Sequence, residues 1–361
     1  MFHFPLPGPE QIVEVGGRRL KLTNLEKVLY PATGFTKGQV IDYYARIAPV
    51  LVPHLAGKPL TLKRYPGGVD QEFFFEKNAT KHRPDWVKTA PIWSEGNQRE
   101  INYILANDLA TIVWLANLAA IELHPSLSLA QDIECPRTMV FDLDPGPPAN
   151  IVQCCQVGVW LRAIFEHFKL ESFPKTSGSK GLQIYVPLNT KTNYDETKPF
   201  AHALARLLEN EHRDLVVSDM KKAIRTGKVL VDWSQNDEHK TTISVYSLRA
   251  RERPTISTPI KWDEVERALT KKDASLLVFE AQQVLQRVEK LGDLFAPLLQ
   301  LKQKLPKLAG IGEAPGASKG QEIAAQTENA QTEKKIQRKK VAGRARAAVK
   351  MSPAHSKRLK S

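Results

Sequence analysis

Two aspartates separated by one residue stand at the end of an apolar segment, FDLDPG at positions 141–146. In a β-strand, side chains two residues apart point to the same face with a spacing of roughly 6.6 Å. Asp142 and Asp144 would therefore converge, while Phe141 and Leu143 would face a core. Carboxylate oxygens are the ligands that Mg²⁺ and Mn²⁺ prefer in proteins. The alternative is a strand that ends in an ordinary Asp-Pro-Gly turn with solvated aspartates.

A third carboxylate, Asp232, lies inside another apolar segment, KVLVDW at positions 228–233. Burying an unpaired carboxylate costs several kcal/mol, so Asp232 requires a partner. Lys228 or Arg249 could supply an ion pair, or Asp232 could complete the metal site of the other two aspartates. Three carboxylates that hold two divalent cations are typical of phosphoryl and nucleotidyl transferases.

Small polar residues precede a third apolar segment, in TSGSKGL at positions 176–182. Glycines let backbone N–H groups approach an anion closely, the hydroxyls of Ser177 and Ser179 add donors, and Lys180 adds positive charge. The spacing differs from that of a Walker loop. Turns of this composition are also common on protein surfaces, but the position between two acidic strands favours a phosphate-binding loop.

The elements that must position these residues indicate an α+β protein. A capping box at Thr36 predicts a helix that runs to Pro53. An apolar helix is expected from Asp108 to Pro125, with His124 as its last residue. The remaining expected elements are strands around the turn 66–68, strands at 138–143, 182–188, 229–233 and 241–246, helices at 151–169 and 196–211, and three helices between Trp262 and Leu305.

Composition limits the class of protein. The 361 residues are 42% hydrophobic, yet no apolar run reaches the ~18 residues that a membrane span needs. The N-terminus lacks the pattern of a signal peptide, and the three cysteines form no C-x-x-C pair, so we expect a cytoplasmic protein without membrane contact.

The net charge of +13 is concentrated at the C-terminus. Residues 334–361 contain eleven Lys or Arg and no Asp or Glu, and residues 1–333 carry 41 basic and 39 acidic residues. Residues 309–361 are predicted to form a disordered basic tail that attracts nucleic acid independently of sequence.

Four motifs in this order resemble the polymerase domain of bacterial DNA ligase D, a member of the archaeo-eukaryotic primase superfamily: FDLDP from Phe141, TSGSKG from Thr176, VDWSQN from Val231 and YSLRA from Tyr246. The resemblance covers roughly residues 10–305. It implies a two-lobed primase-polymerase fold over residues 1–308, with mixed and antiparallel sheets flanked by helices. An N-terminal lobe of about 10–130 would precede a catalytic lobe of about 131–308, and a stand-alone form without ligase or nuclease regions is expected.

The resemblance assigns catalytic and nucleotide-binding roles. Asp142, Asp144 and Asp232 would hold two divalent ions, Mn²⁺ or Mg²⁺. The incoming nucleoside triphosphate would contact His124, Ser177, Ser179, Lys180, Gln183, Gln235 and Arg249. Without the resemblance, His124 reads as a helix-terminal histidine. Gln183 departs from the family pattern, which has histidine there; because an amide cannot become cationic, we expect weaker nucleotide binding.

The resemblance also implies a DNA surface. Asn24, Lys27 and Lys37 match a site for the 5′-phosphate of a gap or broken end, and free N–H groups at the helix start near Lys37 would favour phosphate. The remaining matches are Lys63 and Arg64 on the template path, Phe74 and Phe75 as stacking aromatics, and Arg225 in a loop that brings two ends together. Because Phe74 and Phe75 are adjacent in a strand, one of them is expected in the core.

The function that follows from the resemblance is template-directed nucleotidyl transfer. It would fill gaps and extend ends in bacterial non-homologous end joining, with ribonucleotides preferred. A DNA-end-binding scaffold with weak polymerase activity is the alternative, and a primase that starts chains without a primer is a third possibility. Gapped DNA with a 5′-phosphate, nucleoside triphosphates, Ku and a separate DNA ligase are the implied partners, and a cytoplasmic, nucleoid-associated location is expected.

Overall fold

A computed structural model describes residues 10–307, which form sixteen strands and seven α-helices. The predicted α+β class is confirmed. The N-terminal part contains β1 (Glu10–Val15), β2 (Arg18–Thr23), β3 (Val28–Tyr30), β4 (Phe35–Thr36), α1 (Lys37–Leu55), β5 (Leu60–Arg64), β6 (Phe74–Glu76), β7 (Thr89–Ser94), β8 (Arg99–Ile104), α2 (Leu109–Asn117) and β9 (Ala120–Pro125).

The C-terminal part carries the three acidic and phosphate-loop motifs. Its elements are β10 (Ser128–Leu129), β11 (Asp132–Pro136), β12 (Thr138–Pro145), α3 (Ile151–His167), β13 (Phe173–Thr176), β14 (Leu182–Pro187), α4 (Tyr194–Glu211), β15 (Val216–Val217), β16 (Val229–Asp232), α5 (Trp262–Lys271), α6 (Ala281–Leu291) and α7 (Pro297–Gln300).

Two five-stranded sheets organise the molecule. The two spaced aspartates and Asp232 lie on a mixed sheet with the order β13-β14-β12-β16-β15, in which only the β15–β16 pair is parallel. The other sheet is antiparallel, with the order β6-β5-β8-β7 and β9 paired to β5. The strand that carries the two spaced aspartates, β12, is therefore the central strand of its sheet.

Two hydrophobic cores match these sheets. One core packs α3 and α4 against the mixed sheet, and it includes the fully buried Phe141 and Leu143. The other core centres on α1, α2 and the antiparallel sheet, and it also takes in residues of the segment 245–256 and of α6. Residues from the C-terminal part of the chain thus help to form the hydrophobic core of the N-terminal part.

The segment 242–250 links the two sheets through backbone contacts. The N–H groups of Thr242 and Ser244 donate to the carbonyls of Pro125 and Leu123 on β9. Tyr43 of α1 donates its hydroxyl to the carbonyl of Tyr246 at 2.8 Å. These bonds hold the segment against the end of β9, which brings the following arginine motif to the mixed sheet.

The capping box at Thr36 is confirmed. Its Oγ1 accepts from the N–H of Gln39 at 3.3 Å, and the Gln39 side chain accepts from the N–H of Thr36 at 2.8 Å. The helix continues through Pro53 to Leu55, two residues past the predicted end. A proline near the end of a helix shortens the ladder only locally, so it need not stop the helix at once.

The predicted helix from Asp108 to Pro125 is wrong in its second half. Helix α2 ends at Asn117, Ala119 has a φ of +56°, and the chain continues as strand β9. Almost every residue of this stretch is apolar and buried, so helical and strand periodicities cannot be distinguished. Pairing with β5 makes residues 120–125 a strand, and His124 therefore lies on that strand.

Two further predictions concern the strand at 241–246 and the basic tail. The predicted strand 241–246 is wrong, because residues 241–244 bond to β9 without forming a ladder and residues 245–246 form a turn, with a φ of +63° at Tyr246. The basic tail, residues 309–361, and the first nine residues lie outside the described range. No helix within residues 10–307 has the length and apolarity to cross a membrane.

Candidate functional site

Four polar side chains stand in one row across the mixed sheet. The strand register pairs Lys175 with Gln183, Gln183 with Asp142, and Asp142 with Asp232. Each residue belongs to a different strand, in the order β13, β14, β12, β16. Directly paired residues of neighbouring strands have their Cβ atoms about 5 Å apart, so the sheet brings two of the predicted carboxylates face to face.

The environment of Asp142 disfavours its charge. Burial and the nearby charge of Asp232 raise the pKa of Asp142 to about 6, although a hydrogen bond from the Gln183 side chain and the charge of Lys175 act in the opposite direction. As predicted, Phe141 and Leu143 on either side are fully buried in the core. Asp142 and Asp144 lie on the opposite face, where Asp144 is exposed.

The partners of Asp232 differ from those considered from the sequence. Its Oδ1 accepts from the N–H and the hydroxyl of Ser234, and its Oδ2 accepts from the amide of Gln235 at 3.0 Å. Lys228 donates instead to the carbonyl of Arg213, and Arg249 pairs with Glu122. Neither expected ion pair forms, because the chain turns immediately after Asp232 and supplies local donors.

The family resemblance implies divalent cations, and the donor set fits them. Carboxylate oxygens are hard ligands, and a cation beside Asp142 would relieve its repulsion from Asp232. Within residues 10–307, however, no three carboxylate, histidine or cysteine groups are arranged closely enough to hold a metal ion. The carboxylate of Asp232 is turned toward Ser234, so completing the set requires it to rotate.

The loop Thr176–Gly181 is a tight turn between β13 and β14. Gly178 has a φ of +68°, and a Cβ on Gly181 would lie 2.2 Å from the carbonyl oxygen of Leu143. The Ser177 hydroxyl accepts from the N–H groups of Ser179 and Gly181 at 3.2 and 3.1 Å. Ser177 therefore shapes the loop from within, while Lys180 is exposed and lines the adjacent pocket.

A buried glutamate holds two of the predicted nucleotide-binding residues. The Oε1 of Glu122 accepts from the Arg249 Nε at 3.1 Å and from the N–H of Ala250, and its Oε2 lies 2.9 Å from the His124 Nε2. Burial raises the pKa of Glu122, but His124 and Arg249 outweigh this effect and lower it to about 2. Arg249 also donates to the carbonyl of Ser177 at 2.6 Å.

The pKa of His124 lies below its ordinary value. Burial lowers its pKa, as do Arg249 and Lys63, although the hydrogen bond and charge of Glu122 act in the opposite direction. Its location on β9 replaces the helix-terminal reading, because no helix C-terminus lies at this position. The histidine thus faces the pocket from the N-terminal sheet while its orientation is fixed by Glu122.

A pocket of about 290 Å³ collects the predicted chemistry. Every predicted nucleotide-binding residue and two of the three carboxylates line it: His124, Asp142, Asp144, Ser177, Ser179, Lys180, Gln183, Gln235 and Arg249. The third carboxylate, Asp232, adjoins it through Asp142. The pocket thus combines cations with carboxylates, the two kinds of group that a metal-bound phosphate chain requires.

Three residues of this site were missed by sequence reasoning. Lys175 is fully buried and donates to Gln183, Glu122 anchors His124 and Arg249, and Arg251 lines the pocket and bonds to the Ser179 hydroxyl. The two-residue spacing of Glu122 and His124 was a usable signal once the segment is read as a strand. Lys175 gave no signal, because only the register reveals its neighbour.

The predicted 5′-phosphate residues lie together at the start of α1. The N–H of Lys37 donates to the carbonyl of Lys27, whose own N–H donates to the carbonyl of Asn24. Burial, followed by the charges of Lys27 and Arg64, lowers the pKa of Lys37 to about 8. This crowding of cations indicates a positive surface.

The free N–H groups expected at this helix start are absent from the described structure. Those of Lys37, Gly38 and Gln39 already donate to the carbonyls of Lys27 and Leu25 and to the Thr36 hydroxyl. The Lys37 ammonium donates to the carbonyl of Thr23 at 2.6 Å, so it too is engaged. Lys27 and Asn24 remain exposed. The prediction of an open helix terminus was wrong, because the preceding loop folds back onto it.

An aromatic and basic surface covers the edge of the antiparallel sheet, and we call it the aromatic patch: Lys63, Arg64, Phe73, Phe74 and Phe75. Phe74 and Phe75 are 45% and 60% exposed, so the expectation that one of them is core was wrong. Strand β6 is an edge strand, and neither of its faces is covered there. The Lys63 ammonium stands 3.9 Å from the centre of the Phe73 ring.

Arg64 and Arg225 are partly engaged. Arg64 pairs with Glu76 at 2.6 Å and donates to the carbonyl of Leu118 at 3.0 Å. Arg225 lies 3.9 Å from Asp144 and donates to the carbonyl of Met220. The loop that carries Arg225 thus contacts the exposed carboxylate of the central strand.

Comparisons with known proteins agree with this geometry. The family model described as "LigD, primase-polymerase domain" matches residues 36–295. The chain is 42% identical over 282 residues to the multifunctional non-homologous end joining protein LigD of Mycolicibacterium smegmatis, covering 78% of this chain and 36% of that protein. It is 31% identical over 275 residues to the bifunctional LigD of Bacillus subtilis, covering 76% and 43%. The chain spans less than half the length of these curated relatives.

A solved structure shows the same fold. The polymerase domain from Mycobacterium tuberculosis Ligase D, in complex with DNA, superposes with a TM-score of 0.73 at 37% sequence identity. The match covers 79% of this chain and 99% of that domain. Both the family and the architecture inferred from the four motifs are therefore confirmed.

Proposed function

This chain belongs to the LigD primase-polymerase domain family, and from that membership we propose that it is a template-directed nucleotidyltransferase that fills gaps and extends ends during non-homologous end joining. The observation that carries the proposal is the pocket that joins the carboxylates of β12 to the phosphate loop and to Arg249. Residues from all four motifs, which lie far apart in the chain, line this pocket.

The carboxylates supply the metal-binding side. Asp142 and Asp144, joined by Asp232, would hold two divalent ions, Mn²⁺ or Mg²⁺. Such ions neutralise the triphosphate and activate the primer 3′-hydroxyl as a nucleophile. On the strand next to Asp142, Gln183 lies directly opposite it and is held in turn by a hydrogen bond from Lys175. The protein itself contributes mainly position and charge, as is general for phosphoryl transfer.

The cationic side would bind the nucleotide. Lys180 and Arg251 present exposed positive charge to the pocket, and Arg249 is held rigid between Glu122 and the carbonyl of Ser177. Because Arg249 cannot swing away, its remaining guanidinium donors are already oriented for phosphate oxygens. His124, fixed by Glu122, would contact the sugar or base of the incoming nucleotide, where we propose that ribonucleotides are preferred.

The DNA side would use the N-terminal surface. Lys27 and Asn24 are exposed beside Lys37, and they would receive the 5′-phosphate of the downstream strand. The aromatic patch offers ring faces and cations together, a combination that binds unpaired bases and backbone. Arg225 would contribute from the loop beside Asp144. Ku and a DNA ligase as partners, and a nucleoid-associated cytoplasmic location, belong to the same proposal.

A primer-extension assay tests the function. The substrate is a gapped duplex with a recessed 3′-hydroxyl and a 5′-phosphate, supplied with Mn²⁺ and each ribonucleotide or deoxyribonucleotide in turn. Template-matched incorporation is expected, more efficient with ribonucleotides, and it should be lost in Asp142→Ala. The exposed Asp70→Ala is the matched control, because it removes a carboxylate outside the pocket.

DNA binding measured on the same variants separates the alternatives. Asp142→Ala should bind the gapped duplex as the wild type does. Binding without incorporation by the wild type would favour the end-binding scaffold, in which Lys27 and the basic tail tether DNA. Incorporation on a template that carries no primer would indicate a primase instead.

A further inference from the structure

A second cavity, of about 160 Å³, lies between the end of α1, the region around β10 and helix α7. It shares only Thr242 with the nucleotide pocket, and the Tyr185 hydroxyl is hydrogen-bonded to the Thr242 hydroxyl at 3.1 Å. The two cavities therefore adjoin each other at Thr242. The residues of the second cavity play no part in the function proposed above.

Two cations line this cavity without a partner. Lys58 and Arg137 are both half-buried, and within residues 10–307 neither side chain makes a hydrogen bond or an ion pair. Burial, followed by the charge of Arg137, lowers the pKa of Lys58 to about 8. Two neighbouring cations that repel each other in a partly dry site are destabilised unless an anion joins them.

Two buried hydroxyls beside them also lack partners. The Oγ1 of Thr138 and the Oγ of Ser244 are inaccessible to solvent and form no hydrogen bond, and both residues are 3% exposed. Buried hydroxyl groups in folded proteins are almost always satisfied. Both residues line the cavity, so a bound molecule there could take these bonds after a small rotation of the side chains.

The rest of the lining is consistent with an anion. No aspartate or glutamate of the described residues lines the cavity. The Nε2 of His54, also in the lining, lies 2.8 Å from the Asp293 carboxylate and is already engaged there. Apolar side chains complete the wall, including Leu127, Leu129 and Phe295. They lower the local dielectric and so strengthen any charge contact inside.

We propose that this cavity binds a small tetrahedral oxyanion, either free phosphate or the terminal phosphate of a small metabolite. Two cations and two hydroxyls provide donors from several directions, which suits the four oxygens of phosphate better than the planar pair of a carboxylate. The site is separate from the triphosphate pocket and from the surface around Lys27. Bound anion would bridge β12, through Thr138, to the turn after α1, through Lys58.

Crystals of the full chain soaked in tungstate, a tetrahedral oxyanion with strong anomalous scattering, locate the site directly. An anomalous peak between the Lys58 ammonium and the Arg137 guanidinium is expected. No peak there, while peaks appear at Lys180 or Lys27, would overturn the proposal.

Titration with inorganic phosphate at constant ionic strength tests the site in solution. The titrated protein is the full-length Lys180→Met variant, in which we expect phosphate to bind the nucleotide pocket more weakly. Adding Lys58→Met or Arg137→Met to this background should weaken phosphate binding about tenfold or more, since each removes a charge-assisted contact. Adding Lys304→Met, which removes an exposed lysine outside the cavity, should change nothing.

Thr138→Val and Ser244→Ala test the same site with variants that should remain folded even if the lysine or arginine variants do not. Each removes an unsatisfied hydroxyl with little change in shape, so folding should be retained or improved. Each should nevertheless weaken phosphate binding severalfold. If the lysine, arginine and hydroxyl variants all bound phosphate as tightly as the Lys180→Met parent, phosphate would bind elsewhere. A parallel titration with a phosphomonoester distinguishes free phosphate from a metabolite as the better ligand.

Discussion

The Lys175 Nζ donates to the side-chain oxygen of Gln183 at 2.5 Å and to the Ser257 hydroxyl at 2.6 Å, in a fully buried position where burial lowers the lysine pKa. Because the oxygen of the Gln183 amide is thus occupied, its nitrogen is left to donate toward Asp142, its partner across the strands. The glutamine that departs from the family pattern therefore contacts Asp142, the carboxylate proposed to bind metal.

We expect Lys175→Met to lower kcat for nucleotide incorporation at least tenfold with little change in KM. The substitution leaves the Gln183 oxygen without its donor, and an unsatisfied buried group costs about 1–3 kcal/mol or reorients. Steady-state single-nucleotide incorporation measures both constants. Lys180→Met is the comparison, since it should raise KM instead. If kcat of Lys175→Met matched the wild type while the protein remained folded, Lys175 would have no positioning role.

Asp142→Asn should abolish incorporation and yet stabilise the protein. The folded state raises the pKa of Asp142 from 3.8 to about 6, so its stability contribution is present below pH 3.8 and lost as pH rises through 6. The variant should therefore gain on the order of 3 kcal/mol of unfolding free energy at pH 8 without metal, and nearly nothing at pH 4.

Urea unfolding at both pH values in the presence of EDTA measures this gain. Asp144→Asn is the matched control, because that carboxylate is exposed and should change stability little. Added Mn²⁺ should stabilise the wild type and not Asp142→Asn, since a ligand stabilises only the state that binds it. An Asp142→Asn protein no more stable at pH 8 than the wild type would contradict the repulsion from Asp232.

Glu122→Gln should weaken both the fold and nucleotide binding. The pKa of Glu122 falls from 4.5 to about 2 in the folded protein, so its stability contribution is present above pH 4.5 and lost as pH falls through 2. The loss should be on the order of 3 kcal/mol at pH 7 and should disappear near pH 2. KM for nucleotide should rise because Arg249 and His124 lose their anchor. Glu289→Gln, an exposed glutamate on α6, provides the control.

Phe75→Ala should weaken DNA binding without destabilising the protein. The ring is 60% exposed, so folding gains little from it, whereas stacking on a base contributes about 1–3 kcal/mol. Fluorescence anisotropy with gapped DNA should show a five- to hundredfold loss. Ile12→Ala removes another exposed apolar side chain, 65% exposed on β1, and should leave binding intact. Equal losses in the two variants would count against a specific stacking role.

Removal of residues 334–361 should weaken DNA binding and reduce its salt dependence while leaving incorporation on saturating DNA unchanged. These residues carry eleven Lys or Arg, and each phosphate contact steepens the fall of affinity with salt. Binding constants measured from 50 to 200 mM salt give the slope. A slope equal to that of the full chain would mean that the tail binds something other than DNA.

The sequence by itself determined the family, the fold class and most of the pocket. Asp142, Asp144 and Asp232 are recognisable as candidate metal ligands because each interrupts an apolar segment, where a buried carboxylate needs a partner. The loop from Ser177 to Lys180 is recognisable because its residue types form a local turn. Such signals are local, so a short window of sequence contains them.

Only the tertiary structure decided how these pieces are held. The end of α2 and the strand that carries His124 depend on pairing with β5, and apolar residues alone do not specify this choice. The contacts of Lys175 with Gln183 and of Glu122 with Arg249 join residues 8 and 127 positions apart. Strand register and chain crossings determine which side chains meet, and these are properties of the whole packed core, whose energy no single segment contains.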